Sequence, residues 1–418
     1  MARPVALSTL PLEIFYAVAE RLDKKDLFHL GYACRDLHSL CIPLLYRRLC
    51  VSNAEQLQQL VQRLLQNPTL AAGVHSLELK AADNDEFLNV RGSGPVHNFG
   101  SIYDVILTSS GGGENLPTGW IQDMVGNETV LLLLFAAISN LQSLHIQLPR
   151  HSQMLTDLFH LISISATPFD SHPTFQRLSS VAFDCRSNGM LPVSALLPFF
   201  SMSAVTTVKG RGIGEYVGGE DKYAAPEIPT SSVTNLELTS SFGMRGMSTL
   251  TSRCKNLKSF KYNQGSWIKL MSFGDRLLIP CSFDSAKDTL EHLWIEYEAF
   301  CDDGHGVISL DSFSSFTTLK TFHVATSIVL SVGQLTNFLP PSLEKLGLLS
   351  MEKEQLPGLL ESIEPLLDGR EIFVPRLDCL FLQGRPYAFD YFSSRNILDF
   401  RKCCHDARID FQVEVMNF

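Results

Sequence analysis

The chain has 418 residues, 45% hydrophobic and 19% charged, so it can bury a large core and is not a disordered tail. Its 34 Lys and Arg against 44 Asp and Glu give a net charge of −10, without a long basic block, which argues against nucleic-acid binding. The longest apolar run, residues 130–138, is about half a bilayer span, and the amino end lacks a signal-peptide pattern, so neither membrane insertion nor secretion is expected.

The ten cysteines form no Cys-x-x-Cys pair, which predicts reduced and mostly buried thiols rather than a disulfide framework. The Cys-Cys-His run at 403–405 offers soft ligands but lacks the second pair that a zinc site needs. The glycine-rich segment 210–215 misses the dinucleotide-binding fingerprint and is predicted to be a loop. Because hydrolase, metalloprotease and phosphate-loop motifs are also lacking, we expect no catalytic residue, no metal, no cofactor and no enzymatic activity.

The first fifty residues predict three short helices, each with one apolar stripe. Asp23 and Asp26 are typical of the cap of the second helix, and Pro43 is expected to interrupt or bend the third. A module this small cannot bury three apolar stripes on itself, so part of its surface is expected to meet another protein.

The same residues resemble an F-box. The pattern runs Leu7-x-x-Leu10-Pro11-x-Glu13-Ile14, then Leu22, Asp26-Leu27, Leu30, Cys34-Arg35, Leu40 and Leu45-Tyr46-x-x-Leu49. One departure is Leu37, which stands where an aromatic residue is usual. The resemblance implies docking onto the Skp-type adaptor of a cullin-RING ubiquitin ligase. The adaptor-binding residues that it implies are Leu10, Pro11, Ile14, Val18, Leu22, Leu27, Leu30, Cys34 and Leu45. The alternative is that these side chains form the core of a plain helical cap.

A linking helix is predicted after this F-box module, which spans residues 7–49. The segment 52–55, Ser-Asn-Ala-Glu, is a capping box, and an amphipathic pattern continues from it until Asn67-Pro68. Residues 50–73 should therefore hold the module at a fixed angle to the rest of the chain.

From Val74 onward, one pattern recurs: apolar residues at x, x+3 and x+5, with polar residues or glycine at x−1, x+1 and x+2. Nine copies start at residues 74, 141, 178, 233, 257, 290, 319, 343 and 377, and a weaker copy starts at 205. Eight of the nine meet the polar requirement, and the last fails at Cys379. From 141 to 377 the mean spacing is 29.5 residues, at the top of the leucine-rich-repeat range.

The domain 74–418 resembles the irregular leucine-rich repeats that are attached to F-boxes. We therefore expect an α/β solenoid with parallel strands on a concave face and helices on a convex face. The Asn or Cys usual near x+8 is lacking, so turns are expected to be satisfied individually, and a conventional α/β domain remains an alternative. Long loops are predicted near 80–128 and 209–232, and the alternation of residues 409–415 predicts a last strand at the sheet edge.

Target binding is expected on strand residues that point away from the core. The candidates are His145, Glu237, His292, Trp294, His323 and Phe381. Trp294 lies between two inward residues, so alternation turns it outward, where it is either a binding hot spot or covered by a neighbouring loop or strand.

The two resemblances together imply a substrate-recognition subunit of a Skp/cullin/F-box ubiquitin ligase, acting in ubiquitin-dependent degradation in the cytoplasm or nucleus. The F-box would bind the adaptor and the repeats an unknown target protein, with no nucleic-acid or membrane partner. The alternative is an interaction scaffold that acts outside ubiquitination. The sequence does not name the target.

Overall fold

A computed structural model describes most of the chain in twelve segments. These are residues 10–80, 127–148, 153–166, 169, 174–185, 191–214, 230–241, 250–264, 283–296, 312–352, 355–384 and 395–415. The predicted loop 80–128 lies almost wholly outside them, as does the middle of the predicted loop 209–232. Within them, no helix is both long and apolar enough to cross a membrane. The chain divides into two compact units, Met1–Ala182 and Phe183–Phe418.

The first unit begins with the three predicted helices and continues into parallel strands. Its elements are α1 (Leu12–Ala19), α2 (Lys24–Ala33), α3 (Arg35–Arg47), β1 (Arg48–Val51), α4 (Ala54–Gln66), α5 (Pro68–Ala72), β2 (Ser76–Leu79), α6 (Asn127–Ala137), β3 (Ser143–Leu148) and α7 (Gln153–Ser163). The Asp23 carboxylate caps α2 by accepting a hydrogen bond from the Asp26 backbone N–H at 2.7 Å, as predicted. Pro43 lies inside α3, which continues past it to Arg47.

The join between the F-box module and the sheet contains a strand that the sequence pattern did not predict. α3 ends at Arg47 and β1 begins at the next residue, pairing in parallel with β2. The predicted helix comes next as α4, but its cap lies one residue later than expected. Asn53 accepts a hydrogen bond from the Gln56 N–H at 2.8 Å, and the Gln56 side chain accepts one from the Ser52 N–H at 3.2 Å.

β4 (Ser180–Cys185) contains the boundary, and the second unit consists of strands with intervening helices. Its elements are β5 (Leu191–Pro192), α8 (Leu197–Phe200), β6 (Thr207–Arg211), β7 (Ile213–Gly214), β8 (Asn235–Ser241), β9 (Ser259–Gln264), β10 (His292–Glu296), β11 (Thr321–Ala325), α9 (Thr326–Val332), β12 (Lys345–Met351), α10 (Leu356–Asp368), α11 (Arg370–Phe373), β13 (Cys379–Gly384), α12 (Arg395–Asp406) and β14 (Asp410–Val415).

From β6 to β14, neighbours in the main sheet follow the chain order, with β5 and β7 forming a separate pair. The strand pairs of this unit are parallel throughout its described residues. A solenoid requires this order, whereas a doubly wound sheet reverses it at a switch point. β14 lies at the end of the sheet, so the last predicted strand is confirmed.

The apolar positions of the repeats form the core. In all nine predicted copies the residues at x, x+3 and x+5 are at most 4% exposed. The register places x+3 of one copy beside x+3 of the next, as Leu236, Phe260 and Leu293 show. The recurring pattern therefore marks the buried face of an α/β solenoid, and the alternating residues form the opposite face, called here the outward face.

A ladder of hydroxyl groups connects successive repeats in part of the second unit, just before their strands. Three successive copies have Thr289, Thr318 and Ser342 at position x−1. Their hydroxyls donate to the carbonyls of Leu257, Leu290 and Leu319, each the first apolar residue of the preceding copy, at 3.0, 3.0 and 2.9 Å. The same backbone carbonyl, at position x, is thus satisfied by the same kind of contact at three successive junctions.

The glycine-rich segment forms strands in place of the expected loop. Residues 209–214 were predicted to be loop, but they complete β6 and form β7. Gly212 has φ of 71°, and a Cβ at Gly210 would lie 2.5 Å from the Ile213 side chain. The Ile213 N–H donates to the Ser241 hydroxyl at 3.2 Å, which fixes β7 against β8.

Candidate interaction surfaces

The F-box helices share a small core. It consists of Phe15, Ala19, Leu27, Leu37 and Cys41. On each helix the buried residues are four apart, so each helix faces the core with one narrow stripe. Such a core leaves apolar side chains outside it, as the size of the module predicts.

Five large apolar side chains on α1 and α2 are exposed. On α1, Leu12 and Ile14 are each 51% exposed and Val18 is 42% exposed. On α2, Phe28 is 48% and Tyr32 is 72% exposed, and their rings contact each other edge to face at 4.7 Å. We call these five the F-box apolar surface.

The predicted adaptor-binding residues fall into three groups. Pro11, Ile14, Val18 and Cys34 are exposed, and Leu10 is half-buried just before α1. Leu22, Leu30 and Leu45 are half-buried and pack against the core. Leu27 is 6% exposed and belongs to the core itself. Sequence reasoning missed Leu12, Phe28 and Tyr32, although Phe28 and Tyr32 are four residues apart and adjacent to the buried stripe of α2.

The outward face of the second unit carries a row of side chains at position x+4 of successive copies. We call it the outward row, and it consists of Lys209, Glu237, Lys261, Trp294, His323 and Phe381. The pairing register places these residues side by side, and β12 contributes Gly347 between His323 and Phe381. Because parallel strands lie about 4.8 Å apart, each can contact its neighbour.

The first half of the row is charged. The Glu237 carboxylate forms salt bridges with Lys209 Nζ at 2.8 Å and with Lys261 Nζ at 3.3 Å. The hydrogen bond from Lys209 is the main cause that lowers the pKa of Glu237, with Lys261 adding to it. Residues of β6, β8 and β9, including these three, line a hollow of about 280 Å³. Two ammonium groups that share one carboxylate leave a surplus positive charge at this hollow.

The second half of the row is aromatic. The rings of Trp294 and His323 stack with centroids 4.3 Å apart and planes inclined by 16°, and the Phe381 ring lies 5.9 Å from His323. Lys261 Nζ lies 5.4 Å from the centre of the Trp294 ring, which joins the charged and aromatic halves through a cation–π contact. The indole N–H donates to Glu296 Oε2 at 3.3 Å, and Asn263 donates to the same oxygen at 2.8 Å. These contacts orient the indole ring.

Gly347 provides the space that the His323 ring occupies. A Cβ built at Gly347 would lie 2.5 Å from His323 Nδ1 and 2.8 Å from Cγ. Nδ1 is buried there and has no hydrogen-bond partner within the part of the chain that the structure describes. Burial lowers the pKa of His323 to about 4, with smaller contributions from Lys345 and His292, so the ring is neutral near pH 7.

The structure brings four of the six predicted target-binding residues into the outward row: Glu237, Trp294, His323 and Phe381. His292 is exposed on the same face at position x+2. His145 belongs to the first unit, where its Nδ1 lies 3.3 Å from Glu78 Oε1. Lys209 and Lys261 were missed, although strand alternation alone would have turned both outward.

No group of three or more potential metal ligands occurs among the residues described here. Cys403 is exposed, whereas Cys404 is buried, and burial raises the pKa of its thiol to about 12. The two sulfurs therefore occupy different environments.

Two family models match the chain. One, described as COS11 F-box domain, matches residues 7–83, which extends past the predicted module and includes β2. The other, described as leucine-rich repeat domain, matches residues 171–382, which is half of the chain. The chain belongs to the leucine-rich-repeat family. This leucine-rich-repeat protein carries its F-box at the amino end, and the second match includes the whole outward row. No curated protein is similar enough to count as a match.

Proposed function

We propose that this protein is the substrate-recognition subunit of a ubiquitin ligase of the Skp/cullin/F-box type. In this proposal the F-box apolar surface binds the Skp-type adaptor, and the outward face of the repeats binds a target protein. The protein itself would catalyse nothing, as is typical of F-box and leucine-rich-repeat families. It would act by holding the target near a ubiquitin-conjugating enzyme, which raises the effective concentration of the reacting groups.

The observation that carries the proposal is the F-box apolar surface within a matched F-box domain. Five large apolar side chains on two short helices are between 42% and 72% exposed. Large apolar side chains exposed in this number on a small module favour a protein partner that covers them. The proposal is further supported by the direct passage from α3 to β1, which joins the module to the repeats without a flexible tether.

The test is co-purification of the full, tagged chain from cells of its own source, with Ile14→Asp and Val18→Asp combined in one variant. Both side chains are exposed, so the variant should fold as the wild type does, which circular dichroism checks. Charges placed in an apolar contact cost binding energy, and we expect recovery of the adaptor and of a cullin to fall by about tenfold or more. The matched control is Ile372→Asp, which alters a side chain that is 78% exposed on α11 in the repeats.

Three outcomes decide between the candidate functions. Loss of adaptor and cullin in the double variant but not in the control supports the ligase role. Recovery of the adaptor without any cullin from the wild type favours a scaffold outside ubiquitination. Unchanged recovery of both from the double variant contradicts the assignment of the adaptor surface. Imaging of the tagged chain tests the proposed cytoplasmic or nuclear location.

A further inference from the structure

We propose that the outward row recognises an extended acidic segment of the target that also carries an aromatic or large aliphatic anchor. The inference rests on the proposed receptor function and names the chemistry of its target. It depends on how charge and aromatic surface are arranged along the row, and not on the F-box.

The charged half of the outward row has more lysines than carboxylates. Lys209 and Lys261 share the single carboxylate of Glu237 at 2.8 and 3.3 Å, so one positive charge is left over. Both side chains keep an accessible fraction, 54% for Lys209 and 42% for Lys261. Lys345 is exposed on the same face, two residues before Gly347 in β12. At the hollow the positive charge therefore exceeds the negative charge by one, whereas the Glu296 carboxylate lies beside Trp294 in the aromatic half of the row. In a chain whose net charge is −10, this local excess favours an acidic partner at the hollow.

The hollow beside Lys209 and Lys261 can hold an acidic side chain of the target segment. Its volume is about 280 Å³, and its lining includes hydroxyl and amide side chains, Thr207, Asn235 and Ser259, besides the charged residues. A carboxylate entering it could accept hydrogen bonds from both ammonium groups. One surplus positive charge matches one carboxylate better than the nearly doubled charge of a phosphate. Lysine ammonium groups also lack the planar fork by which arginine binds phosphate.

The aromatic half supplies the site for the anchor. Trp294 is held by Glu296 on one side and by the His323 ring at 4.3 Å on the other, so little conformational entropy remains to be lost on binding. Tryptophan in such a half-buried position is typical of binding hot spots. His323 and Phe381 extend the same surface across Gly347.

The dimensions of the row set the length of the segment. Six strand intervals separate β6 from β13, which corresponds to about 29 Å at about 4.8 Å per interval. An extended chain of about nine residues covers this distance. Acidic residues would lie at one end of the segment and the anchor at the other.

The experiment measures binding of fluorescein-labelled nine-residue peptides to the full chain by fluorescence anisotropy. One class has three glutamates in one half and Phe and Leu in the other, made in both chain directions. Matched classes replace glutamate by lysine, replace Phe and Leu by serine, or add one phosphoserine beside the glutamates. We expect the peptides with glutamates, Phe and Leu, and without phosphoserine, to bind more tightly than every other class. Their affinity should fall as the salt concentration rises.

Charge reversal provides the decisive comparison. Lys209→Glu combined with Lys261→Glu should weaken binding of the acidic probe by about tenfold and improve binding of the lysine probe. Trp294→Ala should weaken binding of the acidic probe by about tenfold or more. The control Lys320→Glu changes a lysine outside the row, ion-paired with Glu291 at 2.7 Å, and should leave binding within about twofold.

The inference is overturned if no class binds, if the lysine probe binds the wild type as well as the acidic probe does, or if binding requires phosphoserine. It is equally overturned if Lys320→Glu weakens binding as much as the double reversal. Adaptor recovery is measured on the same variants and should not change. A failure of the peptide result is thereby distinguished from a failure of the ligase assignment.

Discussion

Replacing Gly347 by alanine should destabilise the second unit by displacing the His323 ring. The added Cβ would lie 2.5 Å from Nδ1 and 2.8 Å from Cγ, whereas carbon atoms in contact are about 3.5–4.0 Å apart. The ring would therefore have to retreat by about 1 Å. Trp294, stacked at 4.3 Å, opposes that movement. Overpacking of this kind costs about 1–3 kcal/mol in the free energy of unfolding.

A double-mutant cycle isolates this contact. In a His323→Ala background the clash is gone, so Gly347→Ala should cost nothing or even stabilise, since alanine loses less backbone entropy than glycine. The four proteins are compared by urea denaturation followed by circular dichroism, with hydrogen exchange in β12 reporting on local opening. An equal cost of Gly347→Ala in both backgrounds would refute the claim that Gly347 seats the ring.

Three further predictions concern burial and hydrogen bonding. Ser342→Ala removes a rung of the hydroxyl ladder and should cost about 1–3 kcal/mol in urea denaturation, whereas Ser362→Ala, whose hydroxyl bonds within its own helix at 2.8 Å, should cost less than about 0.5 kcal/mol. His323 has a pKa of about 4 in the folded protein, so below about pH 6.5 the unfolded chain binds a proton that the folded chain does not. The free energy of unfolding should therefore fall as the pH drops from about 6.5 to 4. His323→Gln should flatten this part of the pH profile. The Cys254 thiol, whose pKa burial raises to about 12, should resist iodoacetamide at pH 8, whereas exposed Cys34 should react, as peptide mass spectrometry would show.

The repeats could be predicted from the sequence because their signal is local. In each copy, three apolar positions and the polar residues between them predict the strand. All of those apolar positions are buried in the structure. β7 could not be predicted in this way. Its Ile213 N–H donates to the Ser241 hydroxyl, which lies 28 positions further along the chain. β1 was missed because two of its four residues fall within the pattern assigned to the F-box and the other two within the segment assigned to the linking helix.

The candidate site was predictable by residue but not as a group. Alternation turned Trp294 and Phe381 outward, yet their assembly around His323 depends on the register of four strands and on a glycine between them. In the F-box, a repeat of apolar residues does not say which side of the helix faces the core. Leu27 is buried and its neighbour Phe28 is 48% exposed, although both are large and apolar.

The hydroxyl ladder bears on how such an array can evolve. Each donor hydroxyl lies a few residues before the strand of its own copy, so the donor and the strand belong to one short segment of sequence. The acceptor is a main-chain carbonyl, which any residue supplies. The residues between these segments can then vary in number while the hydrogen bond between successive copies is kept. The three contacts span 32, 28 and 23 residues, so one junction geometry is kept across copies of different length.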